Sequence, residues 1–458
     1  MKHERSTFSN RIGFVLAAAG SAVGLGNIWR FPYLAAQYGG GMFLLVYLIL
    51  AVTFGFALMI TEIAIGRKTK LSCIGAYQKL SKKFGFLGWI ASAIPIIIVP
   101  YYCVIGGWVT KYFVDFLTGQ GSQIAKDADN YFNTFITVGD SGIFQNPMLW
   151  FVIYVLAAAA VVLFGVEKGI EKVSRIMMPI LVVLSIIVAV FSLSMPGALE
   201  GLKYYLLPDF SNFSPMTVLA AMGQLFYSMS LAMGIMITYG SYMKKEDNLE
   251  RSVGQIEIFD TGIAFIAGLM IIPAVFAFSG GDESALSAGP GLMFVTLPKV
   301  FGEMKLGQVV GTVFFLLVMF AALTSSISLM ETVVSIVQDK LHWGRKKSTL
   351  VITAGILLLG TLSCLGYGPL ASVQILGKAF LDFFDFMSNS VLMPIVAFLT
   401  CILIGFIVGT KTISDEVKLS GNFKREKLFI VMIKWVAPIC IIAILASSIA
   451  EGMGLFHF

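Results

Sequence analysis

"GSAVGLGNIWRFP", residues 20–32, lies inside an apolar stretch long enough to cross a membrane, yet it holds three glycines, an Asn, an Arg and a Pro. Lipid offers no partner to a freed backbone N–H or C=O. Such a break is tolerated only where protein encloses it or where it lines a cavity. The segment therefore predicts a broken membrane helix with a site at its midpoint.

Composition supports the membrane setting. The chain is 57% hydrophobic and 13% charged, with a mean hydropathy of +0.87 and 38 Phe, which excludes an ordinary soluble domain. A bilayer core of about 30 Å needs about 20 apolar residues per helix. Apolar stretches at about 12–36, 40–65, 86–117, 148–164, 169–193, 215–242, 255–279, 305–337, 348–365, 373–409 and 427–449 predict eleven spans in an all-α polytopic membrane protein. Residues 1–458 read as one membrane domain with no soluble insertion.

Charge orients the bundle. The loop 67–83 carries Arg67, Lys68, Lys70, Lys79, Lys82 and Lys83 and no acid, and "KKEDNLER", "DKLHWGRKK" and "NFKREK" follow at alternate loops. The positive-inside rule places these in the cytoplasm, with the amino terminus inside and the carboxyl terminus outside a cell (inner) membrane. The net charge of +6 follows from this topology and calls for no nucleic-acid partner. No cleavable signal peptide is evident, and the five cysteines form no disulfide pattern.

A second apolar stretch, "GQLFYSMSLAMGIMITYGSY" at 223–242, is interrupted by Ser228, Ser230 and Gly234. It lies five spans after the first break. Matching interruptions in two halves point to inverted repeats whose solute binds at the unwound midpoints. Small residues in membrane helices also serve close helix packing, so each Gly or Ser alone has two readings.

Taken together, "GSAVGLGNIWRFP" with "YGGGMFLLVY", "YYCVIGGW" at 101–108, "FYSMSLAMG", "AALTSSISLME" at 321–331 and "LDFFDFMSN" at 381–389 resemble, in order, the motifs of the neurotransmitter:sodium symporter family. The resemblance implies a 5+5 inverted repeat, at about 10–195 and 213–410, with broken helices 1 and 6 and one extra C-terminal helix at about 427–449. It implies sodium-coupled symport by alternating access, with two sodium ions, no enzyme chemistry, no organic cofactor and no obligate protein partner.

Sodium is a hard cation that takes oxygen ligands. By resemblance, the first ion is held by the Ala22 carbonyl, Asn27, Ser228 and a group on helix 7, together with the substrate carboxylate. The second ion is held by the carbonyls of Gly20, Val23 and Ala321 and the hydroxyls of Thr324 and Ser325. Those hydroxyls could instead bond carbonyls one turn back in their own helix. On helix 7, "IFDTGIAFIAG" puts Asp260 where chloride-dependent members have Asn and Ala264 where they have Ser. A built-in charge at Asp260 predicts chloride independence, while Glu257 is expected to reach water at the cytoplasmic end.

Amine carriers of the family place an Asp where this chain has Gly24, so the substrate is expected to bring its own carboxylate. Leu25 and Gly26 N–H groups and the Tyr102 hydroxyl would bind it. Carbonyls of Ala22, Tyr227 and Ser228 and the Ser230 hydroxyl would face its ammonium, and Ile98, Tyr102, Tyr227, Ser230, Met233, Ser325 and Leu329 its side chain. Met233 stands where many relatives have Phe. Its flexible thioether suits a hydrophobic or aromatic L-amino acid such as Trp, Tyr, Phe or Leu, although Met at helical spacing also serves plain packing.

Arg30 and Asp385 resemble the outer gate, above Tyr102 and Tyr227, while Arg5 and Asp339, with Ser241 and Tyr242, resemble the inner gate. Phe8 stands in place of the family's Trp near Arg5. Glu62 is expected to bond freed N–H groups near the helix 1 break. In helix 5, Gly169 and Pro179 within "GIEKVSRIMMP" predict either a static kink or a segment that unwinds. A channel would need a filter or charged rings. A membrane enzyme would need a base in the cavity, but His3, His342 and His457 lie at termini or in a loop. A non-transporting amino-acid sensor of the same fold fits the same residues.

Overall fold

A computed structural model describes residues 6–138, 142–280 and 289–452. Among them there is no β-strand, only an isolated bridge between Ile375 and Lys378. Among the described residues eight helices are long and apolar enough to cross a membrane, and nine if the bent pair Arg11–Ala22 and Gly26–Gln37 is one span. That is fewer than eleven by this test. Pro147–Leu163 and the short halves Pro215–Ser228 and Ile235–Tyr242 each fall under the ~20-residue requirement. All eleven apolar stretches nonetheless fall on helices. The tenth begins at Phe380, not 373, because residues before it form turns around the Ile375–Lys378 bridge.

The first span starts where the Asn10 side chain accepts the Gly13 N–H at 2.9 Å, satisfying a donor with no partner inside the helix. It runs to Ala22, breaks at Val23 and Gly24, and resumes as a π-helical turn, Gly26–Arg30, with a bend of 54°. The sixth span begins with a reciprocal cap between Ser214 and Thr217 and stops at Ser228. Its second half starts at Ile235. Between them Ser230, Ala232 and Gly234 have φ of 53°, 62° and 75°. Left-handed conformations at two non-glycine residues cost about 1–3 kcal/mol each, so tertiary bonds must hold them.

Long helices supply those bonds. Gly85–Leu117, with Pro95 and Pro100 inside it, packs along Gly307–Leu341 as a scaffold beside the first break. Glu62, on Phe56–Thr69, accepts the Ala232 N–H at 2.7 Å. The carboxylate thus braces the helix 6 break, not the helix 1 break expected, because Phe56–Thr69 packs along Ile235–Tyr242. Arg67 is buried against Glu416 at 2.8 Å and serves structure. Helix 5 opens with a π-helical segment, Val166–Glu171, and continues as Lys172–Leu193 through Pro179. Its Glu171 accepts the Ser9 N–H at 2.8 Å and also the Ser9 hydroxyl, so the cytoplasmic end of helix 5 is tied to the amino-terminal segment. All five cysteines are free.

Candidate functional site

The two breaks face each other. The Ser230 hydroxyl donates to the Ser21 carbonyl at 2.9 Å, and Asn27 donates to the Ser228 hydroxyl at 3.0 Å. Around this junction lie the residues expected to hold ions and substrate, while the expected gate residues lie farther along the helices.

On one side stands Asp260, fully buried on Leu249–Ser279. Ser228 donates to its carboxylate at 2.7 and 3.0 Å, Asn27 donates to it at 2.8 Å, and the Tyr47 hydroxyl lies 3.4 Å away. Ala264, one turn on, is buried and has no hydroxyl to offer. Asn27 turns its NH2 toward Asp260 and its oxygen toward the Gly24 N–H at 3.1 Å. A half-turn of the amide would present that oxygen to a cation beside Ser228 and Asp260. Glu257 does not reach water as expected: it is 5% exposed and pairs with Arg425 at 3.1 Å.

On the other side, the Ser325 hydroxyl lies 3.1, 3.4 and 3.5 Å from the carbonyls of Ser21, Val23 and Gly20. Those carbonyls lose their helical donors at the break. Thr324 packs beside Gly20 but bonds back to the Phe320 and Ala321 carbonyls, both at 3.1 Å. Its hydroxyl therefore sits at the edge of the cluster while Ser325 points into it. Among the described residues no three His, Cys, Asp or Glu side chains cluster as for a transition metal. Carbonyls, hydroxyls and one carboxylate form a hard, weakly charged donor set that suits sodium.

Between the two clusters lies a cavity of about 30 Å³ bounded by Ile98, Tyr102, Tyr227, Met233, Ser325 and Leu329, with Ser230, Ala22, Gly24 and Gly26 also at its wall. That is room for about two waters. The Leu25 N–H donates to the Tyr102 hydroxyl at 3.2 Å, so the two groups expected to bind a carboxylate meet at one point. A Cβ on Gly24 would stand 2.7 Å from the Ser325 hydroxyl and 2.8 Å from that of Tyr102. Gly24 thus keeps this corner open.

Tyr227 also borders a second cavity of about 240 Å³ with Arg30 and Asp385. The Arg30 guanidinium stacks 5.3 Å from the Tyr227 ring, and Asp385 accepts from Tyr101 at 3.0 Å and Asn389 at 2.6 Å. Arg30 and Asp385 share this cavity without a direct ion pair. Tyr227 belongs to the walls of both cavities, while Tyr102 lines the inner one. At the opposite end, Asp339 accepts the Ser72 N–H at 2.7 Å, Ser241 donates to the Thr238 carbonyl at 2.5 Å, and Tyr242 donates to Glu331 at 2.7 Å. Arg5 lies outside the described residues. Phe8, 1% exposed, packs edge-on against Tyr239 and Tyr242 and closes this end.

Sequence reasoning missed several participants. The Ser21 carbonyl, Tyr47, Ile235 at the pocket wall and Gln224, which donates to the Gly26 carbonyl at 2.8 Å, all touch the site. Only Gln224, a polar residue within an apolar span, carried a local signal.

Comparison with known proteins shows the family. The sodium:neurotransmitter symporter family model matches residues 5–134 and 120–455. The uncharacterised sodium-dependent transporter YhdH of Bacillus subtilis is 35% identical over 449 residues, covering 96% of this chain and 97% of that protein. An uncharacterised sodium-dependent transporter of Haemophilus influenzae is 34% identical, with 97% and 98% covered. A crystal structure of MhsT in complex with L-phenylalanine superposes with a TM-score of 0.87 at 38% identity, covering 97% of this chain and 100% of that one. The chain is a multi-pass membrane protein that belongs to the sodium:neurotransmitter symporter family, a family of sodium-dependent transporters.

Proposed function

We propose that this protein takes up a hydrophobic or aromatic L-amino acid into the cell, driven by two sodium ions and independent of chloride, by alternating access of two inverted repeats. The first ion binds between the Ala22 carbonyl, Asn27, Ser228 and Asp260, and the second between Gly20, Val23, Ala321, Thr324 and Ser325. The substrate carboxylate completes the first ion's shell, so that ion and solute each raise the other's affinity. The observation that supports this reading most is the convergence of Asp260, Ser228 and Asn27 at hydrogen-bond distance beside the break in helix 1.

The apolar wall of Ile98, Met233 and Leu329 supports a hydrophobic side chain, and MhsT, bound to L-phenylalanine, has the same fold. At about 30 Å³ the cavity must widen to admit one, and Met233 and the Tyr227 lid are the side chains that can yield. Arg30 and Asp385 close the outer path above Tyr227. Asp339, Ser241 and Tyr242, with Arg5, close the inner path.

The test is uptake of a panel of radiolabelled L-amino acids into proteoliposomes. Accumulation of one or more apolar members under an inward sodium gradient, and not under potassium, supports the reading. Binding without accumulation would instead favour a sensor.

A further inference from the structure

A much larger cavity lies away from the site. It is a groove of about 970 Å³ on the outer face of helix 7 (Leu249–Ser279), bounded by helix 2 (Gly41–Thr69) and by the loop that precedes the last span. One end is polar and charged, and the other is lined by Leu48, Val52, Ile258 and Phe265. Positions 254, 258, 262 and 265 share one face of a 3.6-residue helix. Two of them are glycines, and a Cβ on Gly262 would meet nothing within 4 Å. The glycines cut a trough along the helix, running inward from its charged end.

Charge at the polar end is unequal. Arg425 is satisfied by Glu257 at 3.1 Å and Glu250 at 3.7 Å and stacks on Phe56. Glu250 also accepts the backbone N–H groups of Lys424 and Arg425, both at 2.9 Å. Both carboxylates are thereby spent on the loop itself. Arg251 and Lys424, exposed at the groove mouth, have no ion-pair partner among the described residues. A concave apolar trough ending in two unpaired cations matches a molecule with an anionic head and a long hydrocarbon tail.

We propose that the groove is a binding site for a single anionic phospholipid, its phosphate on Arg251 and Lys424 and one acyl chain in the trough past Gly262. The lipid would bridge helix 2 and helix 7, the helix that carries Asp260. The proposal stands apart from the substrate reading above, since it uses none of the same residues.

Native mass spectrometry of the detergent-purified protein, given equimolar phosphatidylglycerol and phosphatidylcholine with identical acyl chains, tests it. Wild type should retain phosphatidylglycerol preferentially. The pair Arg251→Gln and Lys424→Gln should lower that preference by roughly thirtyfold, the combined effect of two cations near a lipid headgroup. Lys346→Gln with Lys347→Gln, which removes two exposed cations outside the groove, should leave it unchanged. Gly262→Trp, set into open space, should reduce retention by filling the trough. Equal retention of the two lipids by wild type would overturn the proposal. So would equal losses from both cation pairs, or displacement of the lipid by glycerol phosphate as readily as by intact phosphatidylglycerol.

Discussion

Ser228 donates a 2.7 Å hydrogen bond to the Asp260 carboxylate, joining the broken helix 6 to helix 7 at the point where Asn27 of helix 1 also arrives. Three helices thus meet on one buried carboxyl group. In water two unit charges 4 Å apart interact by about 1 kcal/mol, but by about 4 kcal/mol at the effective dielectric of a protein site. A fixed carboxylate there favours a cation strongly.

Chloride should therefore be dispensable. Wild-type uptake is expected to run equally in chloride and in gluconate. Asp260→Asn should weaken sodium by on the order of a hundredfold or more. Asp260→Asn with Ala264→Ser should regain transport in chloride alone. Wild-type uptake that collapses in gluconate contradicts the role given to Asp260.

The proposed second ion site rests on Ser325 more than on Thr324. Ser325→Ala removes the hydroxyl that faces three carbonyls, and should lower apparent sodium affinity by about 10–100-fold, the range for a hydrogen bond or ligand to a charge. Thr324→Ala should cost less, because its hydroxyl bonds its own helix. Combining both changes should cost most. If the monodisperse double variant keeps the wild-type sodium dependence, the site is misplaced.

Gly24→Asp places a carboxylate between Ser325 and Tyr102, where the substrate's own carboxylate is expected. Amino-acid uptake should fall by about a hundredfold or more, and a decarboxylated amine should begin to compete for the site. Scintillation binding with phenylalanine and phenethylamine checks this. Unaltered phenylalanine binding would remove Gly24 from the pocket wall.

Glu62→Ala leaves the Ala232 N–H buried without an acceptor, which costs about 1–3 kcal/mol. Glu62→Gln keeps an acceptor and should retain most of the stability and substrate affinity. Thermal unfolding in detergent, with and without sodium, separates the two variants. Equal losses from both would mean that the charge of Glu62 matters and not its bond to helix 6.

Hydropathy made the spans legible, because a lipid-crossing helix must be apolar along its whole length. Both breaks were legible as well, since Gly24, Gly26, Ser228 and Gly234 are costly inside a helix unless a site uses them. Partners distant along the chain were not. Glu62 could be seen to need freed N–H groups, but nothing local to it says that Ala232, 170 residues away, supplies one. Tyr47 reaches Asp260 across 213 positions, and Arg425 reaches Glu257 across 168, for the same reason. The sequence carries the chemistry of each group, and packing alone decides which groups meet.

Coupling between ion and solute is tested most directly by equilibrium binding of radiolabelled sodium to the purified protein, with and without the transported amino acid. Shared use of the substrate carboxylate predicts that the amino acid tightens sodium binding, and that sodium tightens amino-acid binding by the same factor. An analogue with the carboxylate amidated should give neither effect. Sodium binding indifferent to the amino acid would contradict coupling through the Asn27–Ser228–Asp260 site.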